Sequence, residues 1–473
     1  MQSLLYIIGV TLMWVVIAVA VIHVVMDNRQ PAKTMAWALV IIFVPVVGLV
    51  FYLFFGINHR KERLVSQRSV DQLTKRSMLG FVEQQNLRVP ERQKQLVDLF
   101  VNQSFSLPFK DNQVDIMTDG YAFFPELLKD IAQAEHHIHI DMYIFEDDAL
   151  GRLVADALID KARTGVHVRV IYDDVGCWNV GHAFFERMRE EGIEVTPYLP
   201  VHFPSFTSKV NYRNHRKLIV IDGRVGYIGG MNIALRYVQG TGEQPWRDTM
   251  LRMTGGAVYG IQRAFLVDWY FVDRTLITDR VYYPPLLTAN NCLAQVVTSS
   301  PTNPYPEIMQ GYVRAIQSAR RYIYIETPYF LPNEPVLFAL KTAAVSGVDV
   351  RILCPRRSDA RFVEWASRSY LREAYEAGVK VFLYESGFLH SKMMVCDDSL
   401  TTCGSTNVDF RSFENNFEAN VFIYDEGTAL RLKNIFLKDL EQSVLLGDLP
   451  QRIHPSFKKR LWESLTRLLS PLL

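Results

Sequence analysis

Two short segments of the chain each place a histidine and a lysine two residues apart. They are residues 215–217 (HRK) and residues 390–392 (HSK). In an extended strand, residues two apart point to the same face, so each segment presents an imidazole beside an ammonium group. An imidazole can attack a substrate or transfer a proton, and an ammonium group stabilises an anionic substrate. Because a lysine repels a divalent cation, we expect a site for an anion and no metal.

The two segments belong to a longer motif that occurs twice in register. In each copy, four mostly apolar residues separate the lysine from an aspartate, Asp222 or Asp397, and a short turn then leads to Asn232 or Asn407. The differences 390 − 215, 397 − 222 and 407 − 232 all equal 175. The whole chain has 11 histidines, so two chance copies at one spacing are not credible. Histidines buried without a chemical role are the alternative, and the repetition argues against it.

The motif predicts one phosphoryl-transfer site built from both copies. One of His215 and His390 would attack phosphorus while the other protonates the leaving oxygen, and the residues alone do not distinguish them. Lys217 and Lys392, with the two asparagines, would bind the phosphate and stabilise its developing charge. The two aspartates either take part in the chemistry or hold the turn that follows each strand, because turn-forming residues come directly after them.

Strand-like and helix-like segments alternate around each copy of the motif. Residues 137–145 and 166–172 are predicted strands, and residues 150–163 between them form a predicted helix. The same pattern returns in the second half at residues 322–330, 347–353 and 377–382. A strand–helix–strand order indicates an α/β architecture, and a duplication of this length indicates two similar domains that pack as a pseudo-symmetric pair.

Two apolar runs precede these domains, Leu4 to Met26 and Met35 to Gly56. Each reaches the roughly 20 residues that a helix needs to cross a bilayer, and the short connection predicts a transmembrane helical hairpin. A cleavable signal peptide is the alternative for the first run, but a basic segment before it is missing. Basic residues between positions 60 and 76 outnumber those between the runs, so we expect the remaining chain on the cytoplasmic side.

The composition of the 473-residue chain is that of a folded protein with more than one domain, with 49% apolar and 21% charged residues. A formal net charge of +1 argues against nucleic acid as a partner. The five cysteines are scattered and indicate neither a disulfide framework nor a zinc site.

The C-terminal segment, residues 456–470, has the spacing of an amphipathic helix. Its apolar residues are Phe457, Leu461, Leu465, Leu468 and Leu469, and basic residues lie mostly on its other faces. Two interpretations remain open: a helix lying on anionic lipid, or a helix docked on the catalytic core.

The duplicated motif resembles the HKD motif that defines the phospholipase D superfamily. Over nearly the full length, the chain is similar to the membrane-bound bacterial cardiolipin synthases. That similarity includes residues 28–31 (NRQP), 327–332 (TPYFLP) and 407–418 (NVDFRSFENNFE). The resemblance implies an α/β fold in which a transmembrane hairpin precedes two pseudo-symmetric phospholipase D-like domains, each a mixed sheet flanked by helices. We expect these regions: hairpin 1–57, connector 58–110, first domain 111–285, second domain 286–450 and an amphipathic segment 451–473.

The same resemblance implies roles for individual residues. His215 would be the nucleophile that forms a covalent phosphatidyl-histidine, and His390 would be the general acid that later acts as base. Asp248 and Glu418 match the acidic positions that bond the other nitrogen of each imidazole, which orients the ring.

The implied reaction transfers a phosphatidyl group from one phosphatidylglycerol to another and yields cardiolipin and glycerol. It needs no metal or organic cofactor, and the partners would be phosphatidylglycerol and anionic membrane lipid. The resemblance places the protein in the bacterial inner or plasma membrane as a multi-pass protein and leaves its oligomeric state open.

Other activities are compatible with the same motif. Water could resolve the intermediate, which would make the protein a phospholipase D, or the substrates could be those of a phosphatidylethanolamine-dependent or phosphatidylserine-forming enzyme. A nuclease disagrees with the low net charge and the apolar runs. An inactive membrane scaffold disagrees with the intact histidines and lysines in both copies.

Overall fold

The computed structural model describes residues 2–26, 31–56, 87, 89–201, 211–242, 244–285 and 290–471. The chain divides into two compact units. The first comprises residues 1–62 with 201–212, and the second comprises residues 63–200 with 213–473.

The first unit contains the apolar helices. Helix α1 (Gln2–Met26) is uninterrupted, and its stretch Leu4–Met26 is long and apolar enough to cross a membrane. It is followed by α2 (Pro31–Phe43), α3 (Pro45–Phe51) and a π-helical turn (Tyr52–Gly56). Ile17, Ala20 and Val24 of α1 pack with Ile41 and Tyr52, so these helices form one small apolar cluster.

The second helix of the predicted hairpin is interrupted at Pro45. Val44 has φ −131° and ψ 66°, outside the helical region, because a proline disfavours the helical conformation of the residue before it. Helix-type hydrogen bonds still cross the bend: Val44 N donates to Val40 O at 2.9 Å, and Gly48 N donates to Val44 O at 2.6 Å. The run is therefore bent, and among the described helices only α1 reaches spanning length without interruption.

The basic residues behind the predicted orientation, between positions 60 and 76, lie outside the described residues. So does the greater part of the predicted connector. Its described C-terminal part belongs to the fold of the second unit, because Leu96, Val97 and Phe100 are buried in the core of the second half.

The first half of the second unit is an α/β arrangement. In chain order its elements are α4 (Glu91–Ser104), β1 (Pro108–Phe109), β2 (Gln113–Met117), α5 (Gly120–Gln133), β3 (His137–Met142), α6 (Ala149–Arg163), β4 (His167–Asp173), α7 (His182–Glu190), β5 (Glu194–Tyr198), β6 (Lys217–Ile221), β7 (Val225–Gly229), α8 (Arg236–Gln239), β8 (Trp246–Arg247), β9 (Met250–Thr254) and α9 (Ala257–Asp273).

The second half repeats this arrangement after a 3-10 turn, Arg280–Tyr282. Its elements are β10 (Leu293–Ser299), α10 (Glu307–Ser318), β11 (Tyr322–Glu326), β12 (Phe330–Leu331), α11 (Glu334–Val345), β13 (Asp349–Pro355), α12 (Arg361–Glu376), β14 (Lys380–Tyr384), β15 (Phe388–Leu389), β16 (Met393–Cys396), β17 (Leu400–Gly404), β18 (Val408–Asp409), α13 (Phe410–Glu414), β19 (Glu418–Tyr424), α14 (Glu426–Leu440), β20 (Ser443–Leu445), a 3-10 turn (Leu446–Asp448), α15 (Pro450–Ile453) and α16 (Phe457–Leu468).

The two halves form two large mixed sheets with matching strand order. The first sheet runs β2-β9-β7-β6-β3-β4-β5, and the second runs β1-β10-β19-β17-β16-β11-β13-β14-β20. In the first sheet β3, β4 and β5 pair in parallel, and the motif strand β6 joins β3 antiparallel. In the second sheet β11, β13 and β14 pair in parallel, and the motif strand β16 joins β11 antiparallel. The predicted duplicated α/β fold with mixed sheets is confirmed, whereas the exact domain boundaries stay a prediction.

One apolar core is shared by the two sheets. Leu218 and Val220 of β6 belong to the same buried cluster as Met393 and Val395 of β16. Alternate residues of these strands therefore pack across the junction of the two halves. This shared core fixes the strand that follows each histidine–lysine segment relative to its counterpart.

A second set of histidines is buried at the start of β3. His137 Nε2 lies 3.0 Å from Gln262 Oε1, and Gln262 Nε2 lies 2.8 Å from His139 Nδ1. Both rings are fully buried. Burial lowers the pKa of His137 to about 4, with further lowering by His136 and Arg169 against the opposite effects of Gln262 and Asp222. Both rings are accordingly neutral at neutral pH.

We expect the folded protein to lose stability as the pH falls from 7 to 5. The unfolded chain protonates a histidine near its ordinary pKa of 6.5, whereas folded His137 resists protonation down to about pH 4. The stability from neutral burial is present above pH 6.5 and lost as the pH falls towards 4, on the order of 2 kcal/mol for such a histidine at pH 5. Thermal unfolding in detergent measures this dependence.

A His137→Asn variant should show a shallower pH dependence than the parent protein, because it has no proton to take up. His182→Asn is the matched control, since the His182 side chain is 83% exposed. Parallel pH dependences of all three proteins would contradict the prediction.

Candidate active site

The two motif histidines line one cavity between the halves of the second unit. Its volume is about 380 Å³. His215 lies two residues before β6, and His390 lies three residues before β16. The cavity wall includes both predicted asparagines, Asn232 and Asn407, together with Tyr143, Arg213, Trp246, Tyr329, Asp409 and Arg411. The structure therefore brings the two copies of the motif to one place.

Each imidazole contacts a carboxylate from the opposite half. His215 Nδ1 lies 3.0 Å and 3.1 Å from the two carboxylate oxygens of Glu418. His390 Nδ1 lies 2.7 Å from Asp248 Oδ2. Both carboxylates are fully buried. A carboxylate at Nδ1 fixes the ring orientation and favours the proton on that nitrogen, so Nε2 keeps its lone pair.

Backbone hydrogen bonds between the halves bring these partners together. His215 N donates to Phe417 O at 2.9 Å, and His390 N donates to Arg247 O at 2.7 Å. In addition, β15 pairs in parallel with β8, which precedes Asp248. Each histidine is thus held by main-chain contacts to the residue that comes directly before its acid.

The protonation states follow from burial and the neighbouring charges. Burial lowers the pKa of His215 to about 4, with Glu418 raising it and Lys217 lowering it further. His390 is also lowered to about 4 by burial and Lys392, against Asp248. Burial raises the pKa of Glu418, but His215 and Lys217 outweigh that effect, so its pKa lies below the usual range. Neutral imidazoles therefore face ionised carboxylates at neutral pH.

Both motif lysines are buried beside the histidines. Lys217 Nζ donates to His215 O at 2.6 Å, and Lys392 Nζ lies 2.9 Å from His390 Nδ1 and 3.7 Å from Asp248 Oδ2. Burial lowers the pKa of Lys217 to about 7 and also lowers that of Lys392. The lysines adjoin the imidazoles and the carboxylates, so they can stabilise an anion held by the histidines.

The two motif aspartates hold turns at the far ends of their strands. The Asp222 carboxylate accepts hydrogen bonds from the backbone N–H groups of residues 135, 136 and 137 at 2.7–2.9 Å. Asp397 accepts the equivalent bonds from residues 320, 321 and 322, each at 2.8 Å. Both aspartates have positive φ, 53° and 52°. Asp222 lies five residue steps of about 3.3 Å along the strand from Lys217, so the structure favours the turn-holding interpretation over direct chemistry.

The two predicted phosphate-binding asparagines are not equivalent. Asn232 Oδ1 accepts from Ile144 N at 3.1 Å, and its Nδ2 donates to Tyr237 OH at 2.8 Å. Asn407 Oδ1 has no hydrogen-bond partner among the described residues. This unpaired atom is a hydrogen-bond acceptor, so only the Nδ2 group of Asn407 could donate to a phosphate, and the Asn407 side chain already interacts with the Asp409 carboxylate. The Asn232 amide is engaged with the protein at both of its polar atoms.

Residue 230 and its counterpart 405 each contact the acid that orients a histidine. Gly230 leaves space for Asp248, and Ser405 binds Glu418. A Cβ on Gly230 would lie 2.1 Å from Asp248 Oδ1, so only glycine fits there. Ser405, at the same register in the second copy, donates its hydroxyl to Glu418 Oε2. Gly230 and Ser405 each lie two residues before a motif asparagine, so the sequence shows their positions. It does not show their contacts with Asp248 and Glu418, which are distant in sequence.

Buried ion pairs lie beside both histidines. Arg216 contacts Asp268, and its Nε donates to Glu418 O at 3.1 Å. Arg247 Nε donates to Asp439 Oδ2 at 2.9 Å and so links the two halves. Arg216 adjoins His215 and Arg247 adjoins Asp248 in sequence, and each arginine places its charge against a buried carboxylate. Among the described residues, no group of three or more His, Cys, Asp or Glu side chains is arranged to hold a metal ion.

We expect Gly230→Ala to reduce turnover at least 10-fold while the protein still folds. The added methyl group displaces the Asp248 carboxylate and with it the orientation of His390. Gly181→Ala is the matched control, because a Cβ there meets no atom within 4 Å. Steady-state turnover and thermal unfolding of both variants test this prediction, and unchanged turnover in Gly230→Ala would contradict it.

Asp222→Asn should affect stability and not chemistry. Asparagine tolerates positive φ, but it loses the charge and one acceptor, which costs about 2 kcal/mol of unfolding free energy. Turnover of the folded protein should stay within about twofold of the parent. Asp160→Asn, with a side chain that is 76% exposed, is the control for charge removal. A 100-fold loss of turnover at unchanged stability would instead give Asp222 a chemical role.

The chain matches two known domain families. The family described as "Cardiolipin synthase, PLD-like domain" matches residues 127–247 and 312–440, and each of these ranges contains one histidine–lysine segment. The family described as "Phospholipase_D-nuclease N-terminal" matches residues 11–56, which contain most of the apolar helices.

Several curated relatives match nearly the full length of the chain. A cardiolipin synthase of Geobacillus kaustophilus (strain HTA426) is 39% identical, over 95% of this chain and 90% of the relative. The major cardiolipin synthase ClsA of Bacillus subtilis (strain 168) is 38% identical, over 97% of each chain.

A solved structure agrees with the fold. Phosphatidylserine synthase from Haemophilus influenzae Rd KW20 superposes with a TM-score of 0.63 at 15% identity, covering 81% of this chain and 100% of that one. This similarity concerns the fold alone. The family matches and the full-length relatives show that the chain belongs to the cardiolipin synthases, phosphatidyltransferases of the phospholipase D superfamily.

Proposed function

We propose that the protein transfers a phosphatidyl group from one phosphatidylglycerol to the primary hydroxyl of a second, giving cardiolipin and glycerol. The observation that supports this proposal is the pair of imidazoles on one cavity, each held at Nδ1 by a buried carboxylate from the opposite half. Such a pair can supply a nucleophile on one side of a phosphate and a proton donor on the other.

In the first step, Nε2 of His215 attacks phosphorus and the P–O bond to the glycerol headgroup breaks. The departing oxygen takes a proton from His390, glycerol leaves, and the phosphatidyl group stays on His215. With a pKa of about 4, His390 is almost entirely unprotonated at neutral pH and could not donate this proton. The bound phosphodiester anion raises the pKa of an adjacent imidazole, so substrate binding itself favours the protonated His390 that this step needs.

In the second step, neutral His390 takes the proton from the hydroxyl of a second phosphatidylglycerol. That oxygen attacks phosphorus, the P–N bond to His215 breaks, and cardiolipin forms. One phosphodiester replaces another over the cycle, so no nucleotide is consumed. Lys217 and Lys392 would stabilise the phosphate oxygens in both steps, and the Nδ2 group of Asn407 would be a further donor.

We also propose that the protein is a multi-pass membrane protein with its catalytic unit on the cytoplasmic side. Helix α1 supplies one span, and the bent run from Pro31 to Gly56 supplies the second. A proline kink is compatible with a membrane helix when hydrogen bonds continue across it. The basic residues between positions 60 and 76 support the orientation.

The activity test uses purified protein in detergent with phosphatidylglycerol as sole lipid and no added metal or nucleotide. We expect cardiolipin and glycerol in equal amounts. His390→Ala should lower the rate by about 10²–10⁴-fold, the range for a positioned general acid or base, and His215→Ala, which removes the nucleophile, should lower it by at least as much. His182→Ala, at an exposed histidine, should keep the parental rate.

Other products would refute the proposed acceptor or donor. Phosphatidic acid in place of cardiolipin would mean that water resolves the intermediate. Turnover only after addition of phosphatidylethanolamine or serine would identify a different substrate.

The assignment of the nucleophile has its own test. The protein is incubated with phosphate-labelled phosphatidylglycerol, denatured and digested under alkaline conditions, where a phosphorus–nitrogen bond survives. The label should be found on the peptide that contains residue 215. Label on the peptide that contains residue 390 would exchange the two roles.

A further inference from the structure

The C-terminal helix α16 exposes its apolar residues and buries several of its polar ones. Glu463, Thr466 and Ser470, on and just beyond the helix, are buried. The exposed apolar side chains, with their exposed fractions, are Phe457 (80%), Leu461 (48%), Trp462 (57%), Leu465 (45%) and Leu468 (75%). A surface helix of a water-soluble protein has the opposite arrangement, with its apolar stripe towards the core.

Ion pairs attach the polar side of α16 to α12. Arg372 Nη1 donates to Glu463 Oε2 at 2.8 Å, and Arg467 Nη2 donates to Glu373 Oε2 at 2.6 Å. The Arg467 guanidinium also lies 4.0 Å from the centre of the Tyr370 ring. The first pair is buried, so breaking it would leave an unpaired charge in the protein. These contacts keep the apolar side turned outward.

The apolar surface continues from α16, through the half-buried Trp365, to the rim of the active-site cavity. The Trp462 and Trp365 ring centres lie 6.2 Å apart, and those of Trp365 and Phe362 lie 5.7 Å apart. Phe362 is 55% exposed, and its neighbour Val363 lines the cavity. We call this surface the C-terminal apolar patch; it comprises Phe362, Trp365, Phe457, Leu461, Trp462, Leu465, Leu468 and Leu469.

The exposed charges of α16 near the patch are positive. Lys458, Lys459 and Arg460 form an exposed basic run in the first turn of the helix. The one acidic residue of α16, Glu463, is buried against Arg372. Tryptophan and leucine beside such a basic run are the composition of helices that lie in the interface of an anionic bilayer.

We propose that the C-terminal apolar patch binds the surface of an anionic lipid bilayer and holds the mouth of the cavity at the level of the lipid headgroups. The aromatic side chains enter the interface, and the basic run contacts lipid phosphates. A second copy of the chain is a poorer occupant, because α16 exposes no acidic side chain that could pair with the basic run of another α16. This surface is distinct from the apolar N-terminal helices and gives the catalytic unit its own contact with lipid.

The test measures the environment of one labelled position in the full-length protein. All five cysteines are buried, so a cysteine introduced in place of Leu465 is the accessible one for a fluorophore. The labelled protein is reconstituted into phosphatidylglycerol–phosphatidylcholine vesicles that contain lipids with a nitroxide on the acyl chain. Glu190→Cys, at an exposed position of α7, is the control.

We expect the nitroxide lipids to quench the label at position 465 at least threefold more strongly than the label at position 190. Equal quenching at both positions would overturn the proposal. The emission of the label could instead show that position 465 is shielded from water, with no quenching by nitroxide lipids and with shielding that rises with protein concentration. That result would also overturn the proposal and would indicate a protein occupant.

A second variant tests the lipid charge. The triple substitution Lys458→Gln, Lys459→Gln and Arg460→Gln leaves the apolar residues and the ion pairs to α12 intact. It should reduce quenching at position 465 at least twofold in the same vesicles. Quenching that is unchanged in this variant would overturn the assignment to an anionic surface.

Discussion

The imidazole–carboxylate pairs that cross between the halves determine the geometry of the rest of the site. Glu418 fixes the ring of His215, and Asp248 fixes the ring of His390, so neither tautomer is defined within one half. The two halves must therefore keep a fixed relative position. Two structural features provide it: backbone hydrogen bonds between the halves beside each histidine, and an apolar core that both sheets share. A small shift of one half relative to the other would disturb both imidazoles together.

Burial gives these few charges their strength and also makes them costly to leave unpaired. Lys217 lies in a low-dielectric environment that lowers its pKa to about 7, and the same burial keeps the imidazoles neutral. The acids stay ionised because an imidazole and an ammonium group adjoin each of them. Arg216 and Arg247 extend this compensation outward to Asp268 and Asp439. A phosphodiester entering the cavity therefore meets dipoles and charges that are already in position.

The sequence predicted the features that depend on local spacing. The histidine–lysine pairs and the duplicated strand–helix pattern are visible as periodicity, and the fold confirms the duplication. Features that depend on distant contacts were not visible. The motif does not reveal that Gly230 makes room for Asp248, nor that Asp222 binds the backbone 85 residues or more before it. In α16, periodicity shows an apolar stripe but not whether that stripe faces the protein or the solvent, because ion pairs to another helix decide it.

The crossed pairs also affect how such a chain can diverge. Asp248 and His390 are 142 residues apart, yet a substitution at either disables the same imidazole. His215 and Glu418 form a similar unit across 203 residues. The residues around each acid differ accordingly: glycine at 230 leaves room for Asp248, and serine at 405 donates a hydrogen bond to Glu418. Either half alone would lack the carboxylate that orients its own histidine, so the two halves are competent only as a pair.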